Sequence, residues 1–326
     1  TIDSDFATGF VWIKRRSGSG GSGSASDAHV LANRATGVDS FMSSNNTSPE
    51  NTASNCVTAF NSTGVTIGTQ GIVNDNSQTF VSWHWKAAGS PSVVDTGSID
   101  ISLLVNQTAG FSVGKYTGNG TAGATIAHGL GVVPDVTIVK INTGASDNWN
   151  LYNKGLGDGK TLWIDDTGSV SLGSGYYTYM WNATAPTSTL TTLGSNGAVN
   201  GSTRTYVAYS FAAVAGYSQF GEYIGNGNVD GAFIYTGFRP AWLLIRRSNT
   251  DGGWEIVDSK RDPYNVMDKY IYANLDDAEY YGEALKWDFL SNGFKMRTDN
   301  VWGNGSGDTY LYMAFAEAPY KYANAR

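Results

Sequence analysis

Three stretches of the chain share one hydrophobic–polar pattern. Asn200 to Phe211 (NGSTRTYVAYSF), Asn304 to Phe315 (NGSGDTYLYMAF) and, more loosely, Asn74 to Trp85 (NDNSQTFVSWHW) each run a cluster of Asn, Gly, Ser and Asp into a Thr. Alternating aromatic and β-branched residues follow, so each copy predicts a tight turn feeding a strand. Other landmarks move with these copies. Tyr116 to Gly120 (YTGNG) matches Tyr223 to Gly227 (YIGNG), Pro134 matches Pro240, and the apolar run ending at Lys140 matches the one ending at Arg246. Trp149 answers Trp254, and Thr205 answers Thr309. Lys14 and Thr79 precede Lys140 and Thr205 by one common separation. Such phase-keeping is the signature of internal repetition. It predicts an all-β chain of three tandem antiparallel β-sandwich units, jelly-roll or lectin-like, each about 105 residues long. The boundaries expected are 1–100 for a diverged first unit, 101–215 for the second and 216–326 for the third. Ala87 to Gly110 reads as a linker with one extra strand.

Within the third unit, strands are expected at Ser218 to Ile224, Trp242 to Ile245, Trp254 to Ser259, Met267 to Asn274, Trp287 to Leu290 and Gly293 to Thr298, before the final TYLYMAF. Helix is scarce, with one short turn allowed at Asp276 to Leu285. The first unit has nothing before Phe6 resembling the YTGNG strand. Either that strand lies upstream of Thr1, or another part of the assembly supplies it, or each such strand closes the preceding unit and the third unit lacks its last strand; each reading leaves a sheet edge that wants a partner. Ser17 to Ser26 (SGSGGSGSAS) reads as an exposed flexible loop.

Composition agrees with this picture. The 41 glycines, 19 tyrosines and 10 tryptophans, with 15% charged residues, suit a turn-rich β protein. No apolar run is long enough to span a membrane, and the start, TIDSDFATGF, lacks the features of a secretory signal. A single cysteine, Cys56, excludes an internal disulfide framework. The net charge of −7 argues against nucleic acid as a partner. The basic residues Lys14, Arg15, Arg16, Arg246 and Arg247 read as solvated strand ends.

Candidate chemistry is sparse. His29, His84 and His128 have neither metal nor triad spacing, and no catalytic residue is assigned. Aromatics repeated in the framework, Trp149 with Trp254, Tyr206 with Tyr310 and Phe211 with Phe315, read as core. Aromatics in loops that differ between copies, beside carboxylates, are the better recognition candidates. A ring face stacks on sugar C–H groups while carboxylates take hydroxyls. The candidate glycan-binding set is Trp163, Asp165, Asp166, Tyr177, Asp276, Asp277, Tyr280, Tyr281 and Trp302. Its carboxylates could serve as oxygen ligands for Ca²⁺ or a glycosidase pair, but polar turns in which each Asp bonds its own backbone are the favoured reading. Metal binding is undetermined at this stage, and no cofactor other than possible Ca²⁺ is implied. Replacing Asp165 and Asp166 together by Ala is expected to leave the fold intact.

The linked motifs FSVGKYTGNGTAGATIAHGLGVVPDVTIVK, RTYVAYSFAAVAGYSQFGEYIGNG, WEIVDSKRDPYN, LSNGFKMRT and TYLYMAFAEAP cover most of Phe111 to Pro319. They resemble a domain of unknown function found in tail-fibre and other virion-surface proteins of bacteriophages, marine ones especially. The resemblance implies a virion-surface location and a lectin-like sandwich, and carries no established catalytic residue. The expected function is host-surface glycan recognition and adsorption without catalysis. Structural decoration or adaptor duty in the virion is one alternative, and polysaccharide depolymerase activity another. Expected partners are a host glycan, other virion proteins and copies of the chain itself, a trimer being favoured, with no membrane insertion.

Overall fold

The computed structural model describes residues 1–17, 27–157, 159–168, 179–282 and 284–316. Strands dominate, in several antiparallel sheets, as the alternation predicts. Three sheets have the same internal order. In the second, Leu162–Trp163, Asn150–Asn153, Val136–Thr143, Thr205–Phe211 and Phe111–Thr117 lie side by side. The third repeats this order with Ile271–Tyr272, Glu255–Asp258, Pro240–Arg247, Thr309–Ala316 and Ser218–Ile224. The first has Val30–Asn33, Thr8–Arg15 and Phe80–Lys86, with Met42 bridged to Leu31 on the outside. Thus each patterned stretch forms the strand beside Thr8–Arg15, Val136–Thr143 or Pro240–Arg247 in its sheet. The strand carrying YTGNG or YIGNG pairs beyond them, within its own sheet.

The residues between Ala87 and Gly110 do more than link. Ser92–Val94 and Ile101–Asn106 both join the edge of the second sheet, because the alternating ISLLVN pattern can bury one face there. The expected turn at Asp276 to Leu285 is also revised. Its described residues form no helix, and Tyr280 bridges to Tyr270 in a short antiparallel contact. Helical turns occur instead at Gly71–Asn74, Gly197–Asn200 and Val301–Asn304, just ahead of each patterned strand.

Each large sheet buries both faces. One face of all three feeds a shared cluster that includes Phe10, Trp12 and Trp85, Ile138, Tyr209 and Phe211, and Trp242, Met313 and Phe315. Trp85 packs edge-on against rings of both other sheets: Phe211 at 6.4 Å, Trp242 at 5.5 Å and Phe315 at 5.8 Å between centroids. The opposite faces carry separate clusters, covered by smaller sheets such as Ala124–Ala127 with Leu190–Leu193. At the centre lies an apolar cavity of about 30 Å³, lined by Phe10, Trp149, Ile164, Tyr209 and Trp242 among others.

Contacts between the sheets run in a cycle. The residue before the short strand of each sheet is His29, Trp149 or Trp254. Trp149 Nε1 donates to Ser43 O of the first sheet at 2.8 Å, and Trp254 Nε1 to Trp163 O of the second at 2.8 Å. His29 Nε2 bonds Tyr272 O of the third at 3.0 Å. These bonds satisfy polar ring atoms that burial would otherwise leave stranded.

Candidate functional site

The predicted carboxylates divide into structural and surface groups. Asp165 Oδ1 accepts the Trp149 backbone N–H at 3.0 Å and Asn148 Nδ2 at 3.3 Å. Asn45 and Asn274 do the same for the His29 and Trp254 backbone N–H groups, at 3.1 and 2.9 Å. Asp165 therefore holds the loop that orients Trp149. Burial pushes its carboxyl up to about 6, against the pull of its hydrogen bonds and of Lys140. Replacing Asp165 by Ala would strand the Trp149 N–H, so the expectation that Ala is harmless there is revised. Asp166 Oδ1 accepts Gly168 N at 3.1 Å in a local turn, and its carbonyl accepts from Arg246. Trp163 is half-buried, its Nε1 on Asn150 Oδ1 at 3.1 Å. Trp163, Asp165 and Asp166 are thus gathered into one junction between the second and third sheets.

The basic residues read as solvated strand ends include buried ones. Lys14, Lys140 and Arg246 are fully buried at corresponding places on the three central strands. Lys14 Nζ donates to Asp276 O at 3.1 Å, Lys140 Nζ to Asp147 O at 2.5 Å, and Arg246 to Asp166 O and Gly168 O. Lys140 and Arg246 lie over the rings of Trp149 and Trp254 at 5.7 and 5.3 Å. Burial lowers both lysines to about 8. A single sequence does not show this, because a Lys ending an apolar strand looks the same whether loops of a neighbouring sheet cover it or water does.

Asp277 and Tyr280 meet against the third sheet, with Asp276 and Tyr281 in the same loop. Tyr280 stacks on Tyr270 with centroids 5.4 Å apart and planes 13° from parallel, and meets Tyr272 edge-on at 5.3 Å. Asp277 Oδ2 accepts the Tyr280 hydroxyl at 2.6 Å. Between them, Glu279 is gripped by Arg16 at 3.0 Å and Arg261 at 2.9 Å, fixing the loop. Tyr281 then projects into solvent at 82% exposure, beside Tyr280 at 37%. Tyr270, Tyr272 and Glu255 were not foreseen. Glu255 is buried beneath this patch, burial holding its carboxyl well above the usual range; neither oxygen has a hydrogen-bond partner among the described residues. Its signal was a carboxylate inside the apolar stretch WEIVD, at the place of Asn150.

Trp302 lies apart from that patch, within the helical turn Val301–Asn304, with the Arg247 guanidinium 5.4 Å above its ring. Arg247 also reaches Asp308 at 3.2 Å and Asp251 O at 2.6 Å. Tyr177 and most of the SGSGGSGSAS loop lie outside the described residues. Among the described residues no group of three His, Cys, Asp or Glu side chains is arranged to hold a metal ion, and no helix is long and apolar enough to cross a membrane. His29 is buried as a packing residue: Trp12 Nε1 donates to its Nδ1 at 2.8 Å, so the proton sits on Nε2, facing the carbonyls of Tyr272 and Leu275.

The fold and its surface define an all-β protein of packed antiparallel sheets, with a fixed tyrosine–carboxylate patch on the third. The model of a family described as a domain of unknown function (DUF7483) matches residues 1–319, and the chain belongs to that family. No curated protein and no solved structure matches it.

Proposed function

We propose that this is a non-catalytic recognition protein of a virion surface, a tail fibre or tip component that binds a host-surface glycan through the Tyr280–Tyr281 patch. The observation that carries this reading is the pairing of exposed rings with a carboxylate on a loop that two arginines hold rigid. A sugar stacks on a tyrosine face, and Asp277 with its neighbours takes the hydroxyls. Holding the loop in advance limits the entropy lost on binding. In this reading the chain is three units of one β architecture, with limits near residues 100 and 215, sharing a core. Assembly into a homo-oligomer, a trimer being favoured, multiplies weak sites into avidity.

Two of the carboxylates offered for catalysis have structural work: Asp165 caps Trp149, and Asp166 closes its own turn. A glycan array probed with the oligomer should give binding that Tyr281→Ala weakens roughly tenfold, in keeping with loss of one stacking contact. Absence of binding to any glycan removes the proposal, and reducing-sugar release from host polysaccharide replaces it with a depolymerase. A structural decoration or adaptor role is the second reading, favoured by the outer edge of Phe80–Lys86, with which no described strand pairs.

A further inference from the structure

Two junctions between sheets are built alike except for one side chain. A loop of the third sheet meets the first at Glu279, whose backbone N–H donates to Arg16 O at 3.0 Å. A loop of the first sheet meets the second at Glu50, whose backbone N–H donates to Asn142 O at 3.0 Å. Both glutamates follow, at the same spacing, the asparagine that caps its loop: Glu50 after Asn45 and Glu279 after Asn274. Arg16 and Asn142 in turn stand at the same spacing after the buried Lys14 and Lys140. The two glutamates are therefore counterparts, and so are Arg16 and Asn142.

The carboxylates are nonetheless treated differently. Arg16 grips Glu279 with two prongs, Nε on Oε2 at 3.1 Å and Nη2 on Oε1 at 3.0 Å, and Arg261 adds a second positive charge at 2.9 Å. At the other junction Asn142 Nδ2 donates to Glu50 Oε2 at 3.1 Å. An amide has no second donor group, and what it carries instead is an acceptor. Glu50 Oε1 and Asn142 Oδ1 are both buried, and neither has a hydrogen-bond partner among the described residues. Asn142 is wholly buried, and it is the residue skipped in the register of Val136–Thr143 against Thr205–Phe211, a bulge of the kind that re-aims a side chain. Two dehydrated acceptors on groups already in contact cost free energy unless something positive meets them.

We propose that Glu50 and Asn142 hold a hard metal cation through Glu50 Oε1 and Asn142 Oδ1, fastening the first sheet to the second as the Arg16 guanidinium fastens the third to the first. The donor set is all oxygen: a carboxylate, an amide carbonyl and the Thr205 hydroxyl, which lies 3.5 Å from Asn142 Nδ2. Oxygen donors suit Ca²⁺, Mg²⁺ or an alkali ion and not the thiolate- and imidazole-seeking metals. Ca²⁺ fits best of these, because it tolerates irregular geometry and keeps waters in its shell, whereas Mg²⁺ demands a near-ideal octahedron. One negative ligand makes the site weak, with half-saturation at about millimolar Ca²⁺.

The test is thermal unfolding of the full chain in CaCl₂, MgCl₂ or NaCl, with tetramethylammonium chloride holding ionic strength constant. Ca²⁺ should raise Tm saturably, by roughly 2 °C at ten times its Kd; a saturable rise with Na⁺ instead assigns the same site to an alkali ion. Glu50→Gln keeps the shape without the charge and should abolish the rise. Asn142→Arg supplies the counterpart's guanidinium, so without added cation it should unfold at or above the temperature of the saturated parent, and it should no longer respond to the ion. Glu50→Gln, at a half-exposed position, decides the matter where the arginine variant does not fold. No saturable rise with any of the three ions, an equal rise in Glu50→Gln, or a folded Asn142→Arg that still responds like the parent would each overturn the proposal.

Discussion

Asp165 stands where the first and third sheets use Asn45 and Asn274 for the same backbone bond. An amide makes that bond without a buried charge. The Asp165 carboxyl, raised from 3.8 to about 6, favours the folded state when protonated, so its contribution is present below pH 3.8 and is lost as pH rises to about 6. Asp165→Asn should therefore stabilise the protein at pH 7 by on the order of 1–3 kcal/mol, as denaturant titration would show, whereas Asp165→Ala should be about 1–3 kcal/mol less stable than the Asn variant. His29 acts with the opposite sign. Its imidazole, buried beside Lys14, is held well below its ordinary 6.5. The unfolded chain thus takes up the proton first, and stability falls as pH drops below 6.5. With the compensating Asp165 contribution removed, Asp165→Asn should show a steeper loss between pH 6 and 4 than the parent, in unfolding curves taken at each pH. The sequence showed only that His29 has no metal or triad spacing; its burial and the sign and partners of its shift needed the surrounding chain.

At the scale of elements, one Asn does different amounts of work in three homologous turns. Asn200 and Asn304 each bridge the helical turn to the incoming strand with buried side-chain bonds. Alanine at either should cost about 2–4 kcal/mol in thermal or denaturant unfolding. Alanine at exposed Asn74 should change stability by less than about 0.5 kcal/mol, although its sequence context is nearly the same. The patterned strands themselves were readable because alternation over seven residues is a period that a pleated sheet imposes. The four-residue helical turns before them were not, since a single turn is too short to show a 3.6-residue period. Likewise, the tyrosine patch was half legible: loop aromatics beside aspartates marked Tyr280, Tyr281 and Asp277, whereas Tyr270 and Tyr272 join it only because a bridge folds the segment back on itself.

In the whole molecule, the cluster around Trp85 links all three sheets. Trp85→Ala should lower stability by about 3–5 kcal/mol. Because the shared rings leave no sheet with an apolar face of its own to spare, tryptophan fluorescence and far-UV circular dichroism should report one coincident unfolding transition. Separate transitions, with Trp85→Ala shifting the first alone, would show that the sheets are stable independently.

By itself the sequence determined the β class, the recurrence of one pattern of turns and strands along the chain and the framework aromatics, because alternation, turn chemistry and spacing are local and survive without knowledge of neighbours. Tertiary structure alone decided that Lys14, Lys140 and Arg246 are buried, that Asp165 is a cap, and that three sheets close on one core. Each of those is a relation between residues far apart in sequence, set by which loop of one sheet covers which strand of another.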